Sequence, residues 1–260
     1  MNSFEKMAWL LKRLGEPPFE MGLSEMAGEM GTGRSGIFKI MMVLLRENFV
    51  VQDPLTKKYS LGPVLFRLGN TYKQEKSILE VAEPFLRDLA SRSGESVGLC
   101  IREGDIAVLA HQIVSDQPLR YEGKIGSRLG PNRGAQGKLM AAYEPEERIR
   151  EDLFSGPLES RTPKTITDPD VLLQEYAMIR KQGFATSDEE SFEGIRAIAA
   201  PVRNRHGEVW ASLAVAGPTV RLTNIRLNQL IPFVVETADR ISSGFGFRKG
   251  SGDHNDKGAG

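Results

Sequence analysis

A chain of 260 residues is long enough for one large or two modest domains, and its 34 Lys and Arg balance 34 Asp and Glu, so overall charge announces no polyanionic partner. The lone cysteine, Cys100, excludes a disulfide framework and a zinc site built on several thiolates; in its apolar run it reads as a small buried hydrophobe. No apolar run reaches membrane-spanning length and the N-terminus does not read as a signal peptide, so a cytoplasmic protein is expected.

Residues 3–14 are predicted as a helix, with Phe4, Met7, Ala8, Leu10, Leu11 and Leu14 as its apolar stripe and Gly15-Glu16-Pro17-Pro18 as its stop. Trp9 is assigned to the core or to a dimer contact. Ser24 is expected to cap a second helix carrying Met26, Ala27 and Met30, and Gly31 to turn the chain. Thr32 is expected to cap a third, in which Ile37, Ile40, Met41, Leu44 and Leu45 follow core-facing spacing. Asn48 suits a left-handed helix end. Phe49-Val50-Val51 and Tyr59-Ser60-Leu61 then flank turn chemistry at Asp53-Pro54. Helix, turn, helix and hairpin in that order make a winged helix-turn-helix.

The outer face of the third helix carries Arg34, Ser35, Gly36, Phe38 and Lys39. Small residues let a helix approach the major groove closely, and Arg or Lys reaches guanine edges or phosphates. Lys57 and Lys58 at the hairpin tip are placed for neighbouring phosphates. From Arg34 to Gly62, five basic residues face two acidic ones, a modest positive patch. The competing interpretation is a small helical domain with a solvated basic face.

Residues 63–72 read as a connecting helix opened by Pro63, with Leu65, Phe66, Leu68 and Tyr72 as a short apolar face for a partner chain or for the chain's own second domain. Ser77 and Glu80 form a capping box for a helix running to Gly94 with Pro84 inside it. Residues 97–101 and 106–110 flank Glu103-Gly104-Asp105 as a hairpin, residues 118–125 read as a third strand, and 126–133 as a loop. Helices are predicted over 134–142, from Pro145, and from Asp168-Pro169 to Lys181, where Gly183 ends the last. Strands at 194–202 and 209–216 turn at Asn204–Gly207, a final amphipathic helix covers 223–245, and the Gly-rich tail from Lys249 is expected to be disordered. Strands and helices do not alternate as in a parallel sheet. The second region is therefore read as α+β, an antiparallel sheet with helices on its faces.

A hydrolase would need a nucleophile, a base and an orienting acid. His206 falls in a predicted turn, His254 in the tail, and His111 has no evident partner nearby in sequence. No phosphate loop, dinucleotide fingerprint or metal-ligand spacing is present, and Asp188, Glu189 and Glu190 read as a loop start or pocket rim. No catalytic residue, metal site or cofactor is assigned.

The order and spacing of these features resemble the IclR family of bacterial transcriptional regulators. The resemblance rests on Ser35-Gly36-Ile37-Phe38-Lys39, Tyr59-Ser60-Leu61-Gly62, Gly137-Lys138, Gly183-Phe184-Ala185 with Asp188-Glu189-Glu190, the run from Gly194 to Val202, and Gly217-Pro218 with Arg221. It implies an N-terminal winged helix-turn-helix over residues 1–62, a linker helix over 63–76, a GAF-like effector-binding domain over 77–247 and a tail over 248–260. It also implies a homodimer or homotetramer that binds double-stranded operator DNA under control of a small-molecule effector. The implied effector pocket comprises Tyr121, Asn132, Arg133, Gly134, Ala135, Gln136, Ser187, Asp188, Ala197, Ala214 and Ala216.

The sequence departs from family members that bind small oxo acids, which carry polar groups where Ala197, Ala214 and Ala216 stand here, and Asn132-Arg133-Gly134 replaces a His-Ala-Thr/Ser run. A bulkier organic acid, aromatic or otherwise, is expected in a wide apolar cavity. Its carboxylate would rest on Arg133 and the amides of Ala135 and Gln136, with Tyr121 free to stack. Alternatively Arg133 points to solvent or pairs with Asp188 or Glu189. The alternative functions are a GAF-like signalling or scaffold protein without sequence-specific DNA binding and, further off, a hydrolase.

Overall fold

The computed structural model describes residues 1–73, 78–103 and 106–248, and the chain divides into two compact units, Met1–Ser77 and Ile78–Gly260. The first unit contains α1 (Ser3–Leu14), α2 (Leu23–Met30), α3 (Arg34–Arg46), β1 (Val50–Gln52), β2 (Tyr59–Leu61) and α4 (Pro63–Lys73). Asn2 and Glu5 close a capping box on α1. Leu10, Leu14, Met26, Ile37, Met41, Leu44, Val50 and Tyr59 bury together, with Trp9, Ile40 and Leu45 packed at the margin. The hairpin pairs Val50 with Leu61 and Gln52 with Tyr59. Gly31 (φ 59°) and Asn48 (φ 58°) take the left-handed conformations that end α2 and follow α3.

Three local expectations are corrected here. The cap of α2 is Gly22, two residues earlier than Ser24, because the Glu25 carboxylate reaches back to accept from the Gly22 amide at 2.7 Å. Gly33, not Thr32, precedes α3; the Thr32 hydroxyl instead accepts from the Lys6 ammonium at 3.1 Å. The apolar stripe of α1 is narrower than its composition, since Phe4 and Ala8 turn outward.

The second unit comprises α5 (Ile78–Ser93), β3 (Ser96–Glu103), β4 (Ile106–Ile113), β5 (Arg128–Leu129), α6 (Gly134–Ala142), α7 (Glu146–Phe154), α8 (Pro169–Gln182), β6 (Ala185–Asp188), β7 (Ile195–Arg203), β8 (Val209–Pro218) and α9 (Asn224–Gly244). The strands form one antiparallel sheet in the order β5-β4-β3-β8-β7-β6. Strand alternation sorts side chains between its faces. Ile198, Ala200, Val202, Leu213 and Val215 bury against α5 and α9. Cys100, Ala199 and Ala214 bury against α6 and α8. Burial pushes the Cys100 thiol well above its ordinary range, which leaves it an inert core residue.

Residues 118–125 form no strand. The chain runs past β4 with isolated bonds, the Gly123 amide donating to the Gln112 side chain and the Gly126 amide to the Leu109 carbonyl, and only Arg128 and Leu129 pair in register. The expected loop therefore contains β5. β6, which pairs Ser187 with Ala197, is a strand the sequence reading did not assign. Ser77, Gly104, Asp105 and the tail from Lys249 lie outside the described residues.

Candidate functional site

In the first unit the six exposed positions of the reading face are Arg34, Ser35, Gly36, Phe38 and Lys39 on α3 and Lys57 in the turn. Lys57 sits at φ 58°. The turn is braced by Asp53, whose carboxylate accepts from the amides of Leu55 and Thr56, both at 2.7 Å. Those bonds hold the Asp53 carboxyl below its usual range. Lys58 differs from its neighbour: its ammonium pairs with Glu20 at 3.1 Å.

In the second unit, α6 packs its N-terminus against the sheet. The preceding loop is held from two sides. The Tyr176 hydroxyl donates to the Pro131 carbonyl at 2.7 Å, and the buried Asn132 amide donates to the carbonyls of Glu159 and Ile166, each at 2.9 Å. Gly137 is required by this contact: a Cβ there would sit 2.3 Å from the Gly130 carbonyl oxygen. No side chain caps α6, so the amides of its first turn point out of the helix without an intrahelical acceptor. Arg133 stands at the cap position. Its Nη1 donates to the Arg128 carbonyl at 3.2 Å, while its Nε is buried with no partner among the described residues. Burial, with Arg161 nearby, pushes the guanidinium below its ordinary value although it stays charged, so an anion here would be favoured.

These groups wall a cleft of about 50 Å³. Arg133, Gly134, Ala135 and Gln136 form one side; Ser187, Ile195, Ala197, Ala214 and Ala216 form the floor; Tyr121, Leu129, Ser191 and Phe192 close over it. A void of about 20 Å³ floored by Gly98 shares the Tyr121, Leu129 and Ala214 walls. Gln136 is anchored to the sheet by side-chain bonds to the carbonyls of Gly98 and Ser212.

All but two of the expected pocket positions meet here. Asn132 is outside because its side chain is spent fixing the loop. Asp188 is outside because it turns to Arg196 at 2.5 Å and Lys164 at 3.1 Å, which hold its carboxyl below the usual range. Arg133 therefore does not pair with Asp188, nor with Glu189, which Lys164 occupies at 2.7 Å. The cavity is not the wide one expected. Tyr121 and Phe192 lean together with ring centroids 5.7 Å apart, and with Leu129 they fill the room the alanines leave. Leu129, Ser191, Phe192 and Ile195 were not anticipated; the only signal in sequence for Ser191 and Phe192 is a lone aromatic in the polar run from Asp188 to Gly194.

His111 Nε2 lies 2.5 Å from the Glu83 carboxylate on α5 but makes no hydrogen bond of normal geometry with it. Among the described residues no cluster of three His, Cys, Asp or Glu is arranged to hold a metal, and no helix is long and apolar enough to cross a membrane.

A winged helix-turn-helix followed by a sheet-and-helix domain with an enclosed cleft defines a DNA-binding transcriptional regulator. The family described as bacterial transcriptional regulator IclR C-terminal matches residues 70–243, and the chain belongs to the IclR family. KdgR of Escherichia coli (strain K12), an HTH-type transcriptional regulator, is 30% identical over 247 residues, covering 95% of this chain and 94% of its own. A putative IclR transcriptional regulator from Silicibacter sp. TM1040 matches with a TM-score of 0.89 at 25% identity, covering 95% of this chain and 97% of its own. An IclR homologue from Microbacterium hydrocarbonoxydans, crystallised with 4-hydroxybenzoate, shares the fold at a TM-score of 0.79 and 18% identity, over 94% of this chain and 99% of its own. The curated relatives are regulators and repressors, and this chain's role is regulatory rather than enzymatic.

Proposed function

We propose that the protein binds operator DNA as a homodimer or homotetramer and that a small organic acid in the α6 cleft sets its affinity for DNA. Residues 1–62 form the reading domain in this scheme, 63–76 the linker and 77–247 the effector domain. Arg34, Ser35, Gly36, Phe38 and Lys39 enter the major groove, and Lys57 and Lys58 hold phosphates beside it.

The observation that carries the effector reading is the buried, unpartnered Arg133 Nε beside the uncapped amides of Ala135 and Gln136. A cation and a helix N-terminus converging on one cavity favour a carboxylate. The alanine floor and the Tyr121–Phe192 roof favour an aromatic body over a short oxo acid. A cavity of about 50 Å³ has room for a few water-sized groups, so a benzoate-sized ligand enters only as Phe192, 43% exposed, swings outward.

The test is a thermal-shift series with benzoate, 4-hydroxybenzoate, pyruvate and glyoxylate on wild type and Arg133→Ala, followed by gel shifts on the gene's own promoter. Stabilisation by the aromatic acids that is lost in Arg133→Ala, with a matching change in operator affinity, is the expected result. Equal stabilisation of both proteins removes Arg133 as the anchor, and a response to the oxo acids alone removes the aromatic class.

A further inference from the structure

Lys138 carries its charge into the middle of α6, where its side chain is only 1% exposed. The ammonium lies 2.8 Å from Glu175 on α8 and 2.8 Å from Glu190 beyond β6. A lysine charge at that depth is tolerated only while carboxylates stay in contact with it. Glu175 rides a helix anchored by Leu172, Tyr176 and Ile179. Glu190 lies outside the helices and strands, in a short strap, residues 189–194, whose Phe192 and Glu193 are exposed.

The strap is held by polar ties at its ends. Glu189, at φ 62°, accepts from the Gly194 amide at 2.7 Å, and the hydroxyls of Thr162 and Thr165 donate to the carbonyls of Glu189 and Glu190 at 2.7 and 2.6 Å. The Lys138–Glu190 contact is the tie that crosses from the strap to α6. It does so one turn beyond Gly134, so the carboxylate site and the tie act on adjacent turns of one helix. The strap's next two residues, Ser191 and Phe192, help Tyr121 and Leu129 close the cleft.

We propose that the buried Lys138–Glu190 contact is a latch that positions the strap over the cleft, making Lys138 and Glu190 positioning residues for effector binding and Phe192 the residue that limits effector size. The inference rests on the reading of this cleft as the effector site. With the latch closed, Ser191 and the Phe192 ring bound the ligand. With it open, the strap keeps its terminal bonds but no longer tracks α6.

The experiment uses the full chain with Glu190→Gln, which keeps the shape and an acceptor oxygen and leaves Lys138 paired with Glu175; Glu190→Asp, which keeps the charge on a shorter stem, is the second variant. Hydrogen exchange is read without ligand. The strap amides should exchange about tenfold faster in Glu190→Gln and less so in Glu190→Asp, with β3 and α9 unchanged. Benzoate is the probe for the second reading, and its Kd should rise about fivefold in Glu190→Gln, mainly through the off-rate. Phe192→Ala should admit 2-naphthoate while its strap exchanges as in wild type. Arg133→Ala should lose benzoate yet keep wild-type strap exchange, which separates failure of the anion site from failure of the latch. Wild-type strap exchange in Glu190→Gln, or a loosened strap with unchanged benzoate affinity, overturns the proposal. If benzoate fails to bind wild type, the ligand class is wrong and the exchange measurement alone decides the latch.

Discussion

Gly134 and Ser191 approach so closely that a Cβ on Gly134 would lie 2.7 Å from the Ser191 Oγ. Gly134 also sits at φ 62°, which an L side chain adopts at a cost of about 1–2 kcal/mol. Two separate penalties therefore meet at the first residue of α6. Gly134→Ala should destabilise the second unit by about 2 kcal/mol or more. In a double-mutant cycle with Ser191→Gly the steric share should return while the backbone share remains, a coupling of about 1 kcal/mol read from denaturant midpoints. Full rescue would mean that the left-handed conformation costs nothing there.

Arg221 grips Glu95 with both ends of its fork, Nε to Oε1 at 2.6 Å and Nη2 to Oε2 at 2.8 Å, and Glu95 is only 3% exposed. Gly217 leaves the room this pair needs, since a Cβ there would lie 2.4 Å from the Glu95 carboxylate. Arg221→Met should strand a buried charge and cost about 2–3 kcal/mol, somewhat below the roughly 3–5 kcal/mol of a fully buried pair because Arg221 itself is part-exposed. Adding Glu95→Gln to that variant should recover part of the loss. Urea unfolding of the two single variants and the double variant measures both effects.

Glu190 gives a pH dependence of unusual sign. Burial pushes its carboxyl above the ordinary 4.5, against the opposing pull of Lys138. Between 4.5 and the raised folded value the folded state holds a proton that the unfolded state has released, and over that window this group's contribution to stability falls as pH rises; above it Glu190 is the carboxylate that Lys138 contacts. Asp188, Glu189 and Asp53 have lowered values and act oppositely, contributing stability above the ordinary carboxylate range that is lost as pH falls through their folded values. The difference between wild type and Glu190→Gln isolates the first term. Wild type should lose stability relative to the variant as pH is raised above 4.5, in urea midpoints measured at fixed ionic strength. A flat difference would count against the raised value.

Much of the architecture was legible because the signals were local. Asp168-Pro169 before α8, Gly183 after it and Thr223 before α9 each satisfy orphan backbone groups within a turn or two, so they can be read without knowing what packs nearby. The pocket floor was accessible through strand alternation once Ala197, Ala214 and Ala216 were placed on strands. What stayed hidden depends on distant partners. Lys138 looks like an exposed charge in an apolar run, and the carboxylates that let it be buried lie 37 and 52 residues away. Residues 118–125 alternate like a strand, but side-chain and single backbone bonds replace the ladder that would make one. Ser24 and Thr32 were plausible caps, but Glu25 closes on the Gly22 amide and the Thr32 hydroxyl is taken by Lys6, contacts the local pattern does not show.

On the reading face, Arg34→Ala and Lys39→Ala should each weaken operator binding by about 1–3 kcal/mol if they contact base edges. Lys57→Ala should weaken binding to all sequences alike and lower the salt slope by about one. Lys58→Ala should do less, because its ammonium is already shared with Glu20. Gel shifts at several salt concentrations, with operator and scrambled duplexes, separate the base contacts from the phosphate contacts. Unchanged affinity for both Arg34→Ala and Lys39→Ala would move the recognition surface off the front of α3.

The last prediction concerns assembly. Phe66 is 76% exposed and Leu68 is 49% exposed on α4, and Phe4 on α1 is 79% exposed. The Tyr72 side chain lies outside the described residues, and Trp9 packs against the unit's own core, so neither enters the argument. Exposed apolar residues on two elements are a candidate contact between copies, and in a two-fold interface each contact is made twice, with residues near the axis facing their own equivalents. Phe66→Cys should therefore join two chains through a short bis-maleimide, while wild type should not react, because Cys100 is fully buried and its thiol is pushed up. Denaturing gels read the product directly. Operator DNA should raise the yield by aligning the reading domains on paired half-sites. A Phe66→Cys protein that binds operator normally yet never cross-links would place the contact between copies elsewhere and leave Phe66 to face the chain's own second domain.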